Sequence, residues 1–225
     1  MDTVATTSTM AERVAVLEAR TAMYGLLAGV MTRPYADTVA RCTAAAAALA
    51  TLPTLEPRIR APLSRMSVHD TEETPLERLE VEYTRLFVNA YPKTPLPPYE
   101  SVQRGEGGLW GDSTIDVARR YASAGLEFQK THGVAPDHLS AEFEFAGALL
   151  ASVHDATDPE EVHRLEEDFS QFFTAHLAPW AGEFCRKVGA QAHVEFYRAF
   201  GEAGAAFMAA ETELLESERR AATHG

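Results

Sequence analysis

The chain has 225 residues, 46% of them hydrophobic and 24% charged, the balance of a folded soluble protein with material for one large core or two small ones. Its net charge of −13 argues against nucleic acid, which demands clustered Lys and Arg; it suits a basic peptide partner drawn by steering, or plain solubility, equally well. No apolar run reaches the roughly 20 residues that cross a bilayer, and Met1–Met10 lacks the basic start and apolar core of an export signal, so a cytoplasmic protein is expected, with Cys42 and Cys185 as separate buried thiols.

Helical spacing accounts for almost every segment. Thr9 and Glu12 stand in capping-box positions. Behind them Val14, Leu17, Thr21, Tyr24, Ala28 and Met31 recur at intervals of three and four, the stripe of one long helix. Arg33-Pro34 ends it, because the residue before proline avoids the helical region. A second helix is expected after Asp37, with Val39, Cys42, Ala46 and Leu49 inward. Its alanine run, 44–48, forms helix readily and permits close approach. Pro53, Pro57 and Pro62 should break the next stretch into short pieces. Thr74-Pro75-Leu76-Glu77 then predicts an N-cap, a proline at the first helical position and a Glu in the first turn. Leu76, Leu79, Tyr83 and Leu86 continue that helix as an apolar stripe, with Phe87 beside it.

From about 90 to 112 the helical pattern stops. Pro92, Pro95, Pro97 and Pro98 precede Gly105, Gly107, Gly108 and Gly111, and a connection this long in a compact domain is functional or disordered. Helices resume at Ser113, with Ile115, Val117, Tyr121, Ala124 and Phe128 inward and Gly133 as a stop. The next spans about 137–154, with Asp137 as N-cap after Pro136, His138 in the first turn, and Leu139, Phe143 and Leu150 inward. Asp158-Pro159-Glu160 repeats the start signal ahead of Val162, Leu165, Phe169, Phe172 and Phe173. Pro179 separates a helix bearing Phe184 and Val188. A last helix carries Phe196, Tyr197, Phe200, Phe207 and Leu214 and should fray in a charged tail. There is no internal repeat and no alternating strand pattern. The fold class is all-α: a single globular bundle of about eight to twelve helices over 1–225, with a Pro/Gly-rich central loop at 90–112.

Candidate functional residues cluster between 83 and 145. Tyr83, Leu86 and Phe87 share one helix face, as a core stripe or as a pocket wall. In the loop, Pro98 and its neighbouring prolines limit the entropy lost on ordering. Tyr99 offers a rigid aromatic anchor, and Glu100 a carboxylate for an arginine of a basic ligand. Asp137 and His138 pair an acceptor with an imidazole, and Glu142, one turn on, either extends an acidic surface or is a solvated helix-face charge. Two doublets, His69-Asp70 and His154-Asp155, raise the alternative of a helical metal-dependent phosphohydrolase. The other histidines supply no HxxxH or ExxH spacing to gather ligands on one face. P-loop, GxSxG and dinucleotide fingerprints are missing. No metal, no cofactor and no catalytic residue is expected.

Three motifs, in this order, resemble the TorD/DmsD/NarJ family: Tyr83-Thr84-Arg85-Leu86-Phe87, the loop Pro97-Pro98-Tyr99-Glu100-Ser101-Val102, and Pro136-Asp137-His138. The family's Asp-His signature opens with a Glu that is Val134 here, so that match is partial. The resemblance implies a non-catalytic cytoplasmic chaperone. Its partner would be the apo form of a molybdopterin-containing oxidoreductase catalytic subunit, many relatives binding the twin-arginine signal peptide. It also implies that the first motif helps form a hydrophobic pocket and that the Asp and His bear on signal-peptide binding. The expected peptide site is therefore Tyr83, Leu86, Phe87, Pro98, Tyr99, Glu100, Asp137, His138 and Glu142. A monomer is expected, with domain swapping through the long loop left open.

Overall fold

Thr9 starts the first helix as its chemistry demands. Its hydroxyl accepts from the Glu12 amide at 3.2 Å and the Glu12 carboxylate accepts from the Thr9 amide at 2.7 Å, so two orphan donors of α1 (Met10–Val30) are satisfied. The structure, a computed structural model, describes residues 9–68, 75–88, 96–108, 110–126 and 134–224. Ten α-helices fill these stretches, and no strand occurs among the described residues. After α1 come α2 (Ala36–Ala50), α3 (Pro57–Ser67), α4 (Leu76–Tyr83), α5 (Glu100–Gln103), α6 (Asp112–Ser123), α7 (Leu139–Asp155), α8 (Pro159–Phe172), α9 (Ala181–Gln191) and α10 (Glu195–His224). Two π-helical turns, Thr84–Val88 and Phe173–Leu177, extend α4 and α8.

The layers follow from which faces are apolar. α1 lies against α7 and α2, α10 runs along α9 and α3, and α8 covers α7. At the centre the ring of Tyr24 meets Phe207 at 5.1 Å, Phe169 at 5.9 Å and Phe143 at 6.1 Å, edge or tilted contacts that suit aromatic quadrupoles. Its hydroxyl donates to Glu211 at 3.1 Å, and Arg20 closes a two-pronged pair with the same carboxylate at 2.7 and 3.0 Å. Glu211 is buried, so this triad ties α1 to α10 through a low-dielectric region where geometry must be good.

Several expectations are corrected. Val14 is exposed; Tyr24, Ala28 and Met31 of the expected stripe are buried, and the buried face also takes in Ala19, Met23, Leu26, Leu27 and Val30. Pro62 does not break the chain: it sits inside α3, buried with Ile59, Leu63 and Met66. The packing of that face on α2 and α10 offsets the roughly 3 kcal/mol a mid-helix proline costs. Pro75 is the N-cap of α4 and not its first residue; Thr74 lies outside the described residues, as do 89–95, Phe128, Gly133 and the His69-Asp70 doublet. The central loop is not continuous irregular chain, since α5 interrupts it. Ile115 is exposed. α10 continues to His224 without fraying, and Leu215 takes the inward position expected of Leu214. The inward residues of α2 are the four expected, and Asp158 caps α8 ahead of Pro159. Both cysteines are free and buried. No helix among the described residues is long and apolar enough to cross a membrane.

Replacing Glu211 with alanine leaves the part-buried Arg20 and the buried Tyr24 hydroxyl without their shared acceptor. The expected loss is about 3–5 kcal/mol of unfolding free energy, read as a lowered urea midpoint at unchanged slope.

Candidate functional site

The π turn after α4 widens the helix by one residue per turn and so reorients its apolar face. Leu86 and Phe87, adjacent in sequence, are thereby both buried. Phe87 packs on Tyr83 at 5.3 Å, on Tyr197 at 6.0 Å and on Phe184 at 6.1 Å. Tyr83 stays half-buried, and its hydroxyl donates to the Met31 carbonyl at 3.1 Å. Burial pushes that hydroxyl's pKa up to about 12, with Tyr99 adding to the shift.

Where the described chain resumes, Pro98 to Ser101 docks on the head of α7. The Leu139 amide donates to the Pro98 carbonyl at 2.9 Å and the Glu100 amide to the Asp137 carbonyl at 3.0 Å. Tyr99 and His138 thus form an isolated antiparallel bridge, with their rings 5.0 Å apart, edge to face. Asp137 is not the N-cap. It is fully buried, and one oxygen accepts from the Ser101 amide at 3.0 Å and the Ser101 hydroxyl at 2.6 Å. The cap is His138: Nδ1 accepts from the Ser140 amide at 3.2 Å and meets the Ser140 hydroxyl at 2.7 Å. An accepting Nδ1 requires an unprotonated ring nitrogen. Burial lowers the His138 pKa to about 4, against the opposing pull of Asp137.

Behind this wall lies a polar cluster with Glu100, Glu142 and His176 buried at its centre and Arg104, Asp116 and Arg120 reaching solvent. Glu100 accepts from Arg104 at 2.7 Å and faces His176 Nδ1 at 2.9 Å. The other ring nitrogen of His176 meets Asp116 at 2.9 Å, and Asp116 also accepts from Arg120 at 2.9 Å. The Arg120 hydrogen bond is the main reason the Asp116 pKa is lowered, His176 adding to it. Glu100 is therefore not a free acceptor on a surface loop, and Glu142 is not a solvated helix-face charge. Glu142 is fully buried; burial first, and the neighbouring Glu100 charge second, drive its pKa well above 4.5. Among the described residues neither of its oxygens meets a hydrogen-bond partner at full geometry, nor does the indole nitrogen of Trp180, although Glu100 and Trp180 both lie near enough to shift its pKa, Glu100 upward and Trp180 downward.

In front of the wall opens a cavity of about 830 Å³, the size of a ligand site. Met31, Tyr35, Tyr83, Tyr121, His138 and Phe145 make its aromatic and apolar surface, with Arg33 and Glu144 among its polar edges. A second cavity of about 690 Å³ shares Leu126, Phe145 and Ala148 with it, so the two form one groove along α7. Of the nine residues singled out in the sequence, Tyr83 and His138 line the cavity. Tyr99 stands half-buried behind His138, while Leu86, Phe87, Pro98, Glu100, Asp137 and Glu142 are buried beneath or behind the wall. Sequence reasoning passed over His176, Trp180 and Asp116, which no local motif distinguishes, and it placed Tyr121 in the core without seeing that it floors a groove. The remaining doublet, His154-Asp155, is exposed at the end of α7, and no group of three His, Cys, Asp or Glu among the described residues is arranged to hold a metal.

Comparison with known proteins bears on this arrangement. A family model described as nitrate reductase delta subunit matches residues 42–186, which includes every motif residue above. The chaperone protein TorD of Photobacterium profundum is 26% identical over 148 residues, 65% of this chain and 68% of that protein. The Tat proofreading chaperone DmsD of Salmonella typhimurium is 28% identical over 149 residues, 66% of this chain and 65% of that one. The matched region thus spans about two thirds of these relatives' length. A crystal structure from Archaeoglobus fulgidus, described as a candidate redox enzyme maturation protein, shares the fold with a TM-score of 0.51 at 23% identity, over 90% of this chain and 97% of the other.

Two substitutions separate the support from the cluster. Phe87→Ala is expected to cost about 3–5 kcal/mol of stability, as for any large core ring, measured by denaturant unfolding. Glu142→Gln should do the reverse, in a pH-dependent way. The folded pKa of Glu142 lies above its unfolded value near 4.5, so the parent's stability is full below that value and falls as pH rises toward the folded pKa. Glutamine does not ionise and escapes that loss. Its advantage over the parent should be small near pH 4, grow as pH rises, and level off above the folded pKa, in urea melts across a pH series.

Proposed function

This chain belongs to the nitrate reductase delta subunit family, and from that premise we propose that it is a maturation chaperone for a redox enzyme. Its client is the apo form of a molybdopterin-containing oxidoreductase catalytic subunit, and the client's twin-arginine signal peptide lies in the groove along α7. The names of its relatives, a chaperone protein and a proofreading chaperone, support the general role. The observation that carries the peptide reading is the groove itself, where Tyr83 and His138 from two motifs far apart in sequence meet on one apolar-floored surface. A helical or extended apolar segment suits such a groove. The chain works as a monomer in the cytoplasm and supplies no catalysis. While the peptide occupies the groove, the export machinery cannot read it, and the apoenzyme gains time to receive its cofactor. Occupancy of that kind has to be reversible, and micromolar affinity, about −8 kcal/mol, meets the need.

Ala148 tests this directly. It is exposed and lines both cavities, so Ala148→Trp fills the groove and should change stability by no more than about 0.5 kcal/mol. Calorimetric titration with the signal peptide of the client subunit should show affinity reduced by at least about tenfold, 1.4 kcal/mol. Unchanged affinity in the filled variant, with the fold intact, removes the groove from consideration.

A further inference from the structure

The wall of the groove at Tyr99 and His138 is held by backbone. Its two hydrogen bonds, from the Glu100 amide to Asp137 and from the Leu139 amide to Pro98, join a four-residue helix to the head of α7. Behind them the side chain of Glu100 is already committed to Arg104 and His176. Glu142 faces it from α7, also at 0% exposure, with neither oxygen hydrogen-bonded among the described residues. As a carboxylate, Glu142 would set a second negative charge against Glu100 with no donor to satisfy it, the costliest form of burial. As a neutral acid it has an O–H to give to Glu100 and a carbonyl oxygen to receive the Trp180 N–H.

We propose that Glu142 is a positioning residue for the groove: in its protonated form it clamps Glu100, and with it the Tyr99–His138 bridge, onto α7, and its ionisation releases that wall and weakens ligand binding. The groups around it set the sign. Glu100 faces it from α5 and Arg104 from the residue that ends α5, Tyr121 from α6, Asp137 from the turn before α7 and Trp180 from the residue before α9, while His176 bears on it through Glu100. Arg104 is spent on Glu100 at 2.7 Å, and Glu100 and Asp137 both oppose a charge on Glu142. Ionisation therefore pushes α5 away from α7. The effect reaches the groove because His138, on the bridge, and Tyr121, within the field of Glu142, both line it.

The wall can be read without any ligand. Hydrogen exchange of the Glu100 and Leu139 amides, each rate normalised to unstructured peptide at the same pH, is followed from about pH 5 to about pH 9 in the parent and in Glu142→Gln. Protection in the parent should fall about tenfold per pH unit above the folded pKa of Glu142. It should stay flat in Glu142→Gln, whose amide keeps a donor for Glu100 and cannot ionise. Glu100→Gln, which removes the repelling charge, should shift the fall to lower pH, because loss of a neighbouring anion makes Glu142 easier to ionise. Protection in the parent that is flat, or that falls equally in Glu142→Gln, overturns the proposal. A second arm, resting on the peptide reading of the groove, titrates the client signal peptide at each pH. Affinity that falls in the parent alone, with the midpoint of the exchange data, supports both. If no peptide binds at any pH while the exchange results hold, the positioning role stands and the peptide reading falls.

Discussion

The constraint on which the rest of the structure depends is that two carboxyl groups, Glu100 and Glu142, leave water at the same place. One buried carboxylate can be satisfied by Arg104 and His176, as Glu100 is. Two side by side cannot both be ionised without a second cation, and the described neighbours offer none that is uncommitted. The consequence is geometric as well as electrostatic. α5, α7 and the π turn at Phe173–Leu177 must hold one arrangement for the cluster to be satisfied, and a buried polar network of this kind fixes geometry in a way apolar packing does not.

The groove inherits its shape from that arrangement and from the core below it. Leu86 and Phe87 carry no groove surface, yet Phe87 supports Tyr83, whose hydroxyl anchors on Met31. The other π turn presents His176 to Glu100 and Asp116. Both departures from α-helical winding thus lie under the same wall. A regular helix at either place would turn one of these side chains away. Local winding, not loop flexibility, sets the positions of the side chains that define the groove.

Most of the fold is legible in the sequence because it is written in local signals. The capping box at Thr9, the stripe of α2 and the Asp158-Pro159 start all act within one or two helical turns. Where the outcome depends on distant partners, the same reasoning misplaces it. Pro62 reads as a breaker until α10 and α2 cover its helix. Asp137 reads as a cap because an aspartate before an apolar stripe is one. Ser101, 36 residues away, takes its carboxylate instead, and His138 caps in its place. Glu142 reads as surface charge because glutamate usually is. Nothing within a few residues announces Glu100, His176 or Trp180 as its surroundings.

The division between wall and support fixes the sign of the last test. Glu100 raises the pKa of Glu142 through its negative charge. Neutralising it as Glu100→Gln makes Glu142 the stronger acid, so the loss of protection at the bridge amides belongs at lower pH than in the parent. A missing anion cannot delay ionisation. The shift also separates two explanations of a pH-dependent wall. If Glu142 titrates, the midpoint moves down when Glu100 loses its charge. If His138 titrated instead, its burial-lowered pKa of about 4 would put the change on the acid side, where a protonated Nδ1 can no longer accept from Ser140. A loss of protection confined to acid pH therefore counts against Glu142 and for the cap.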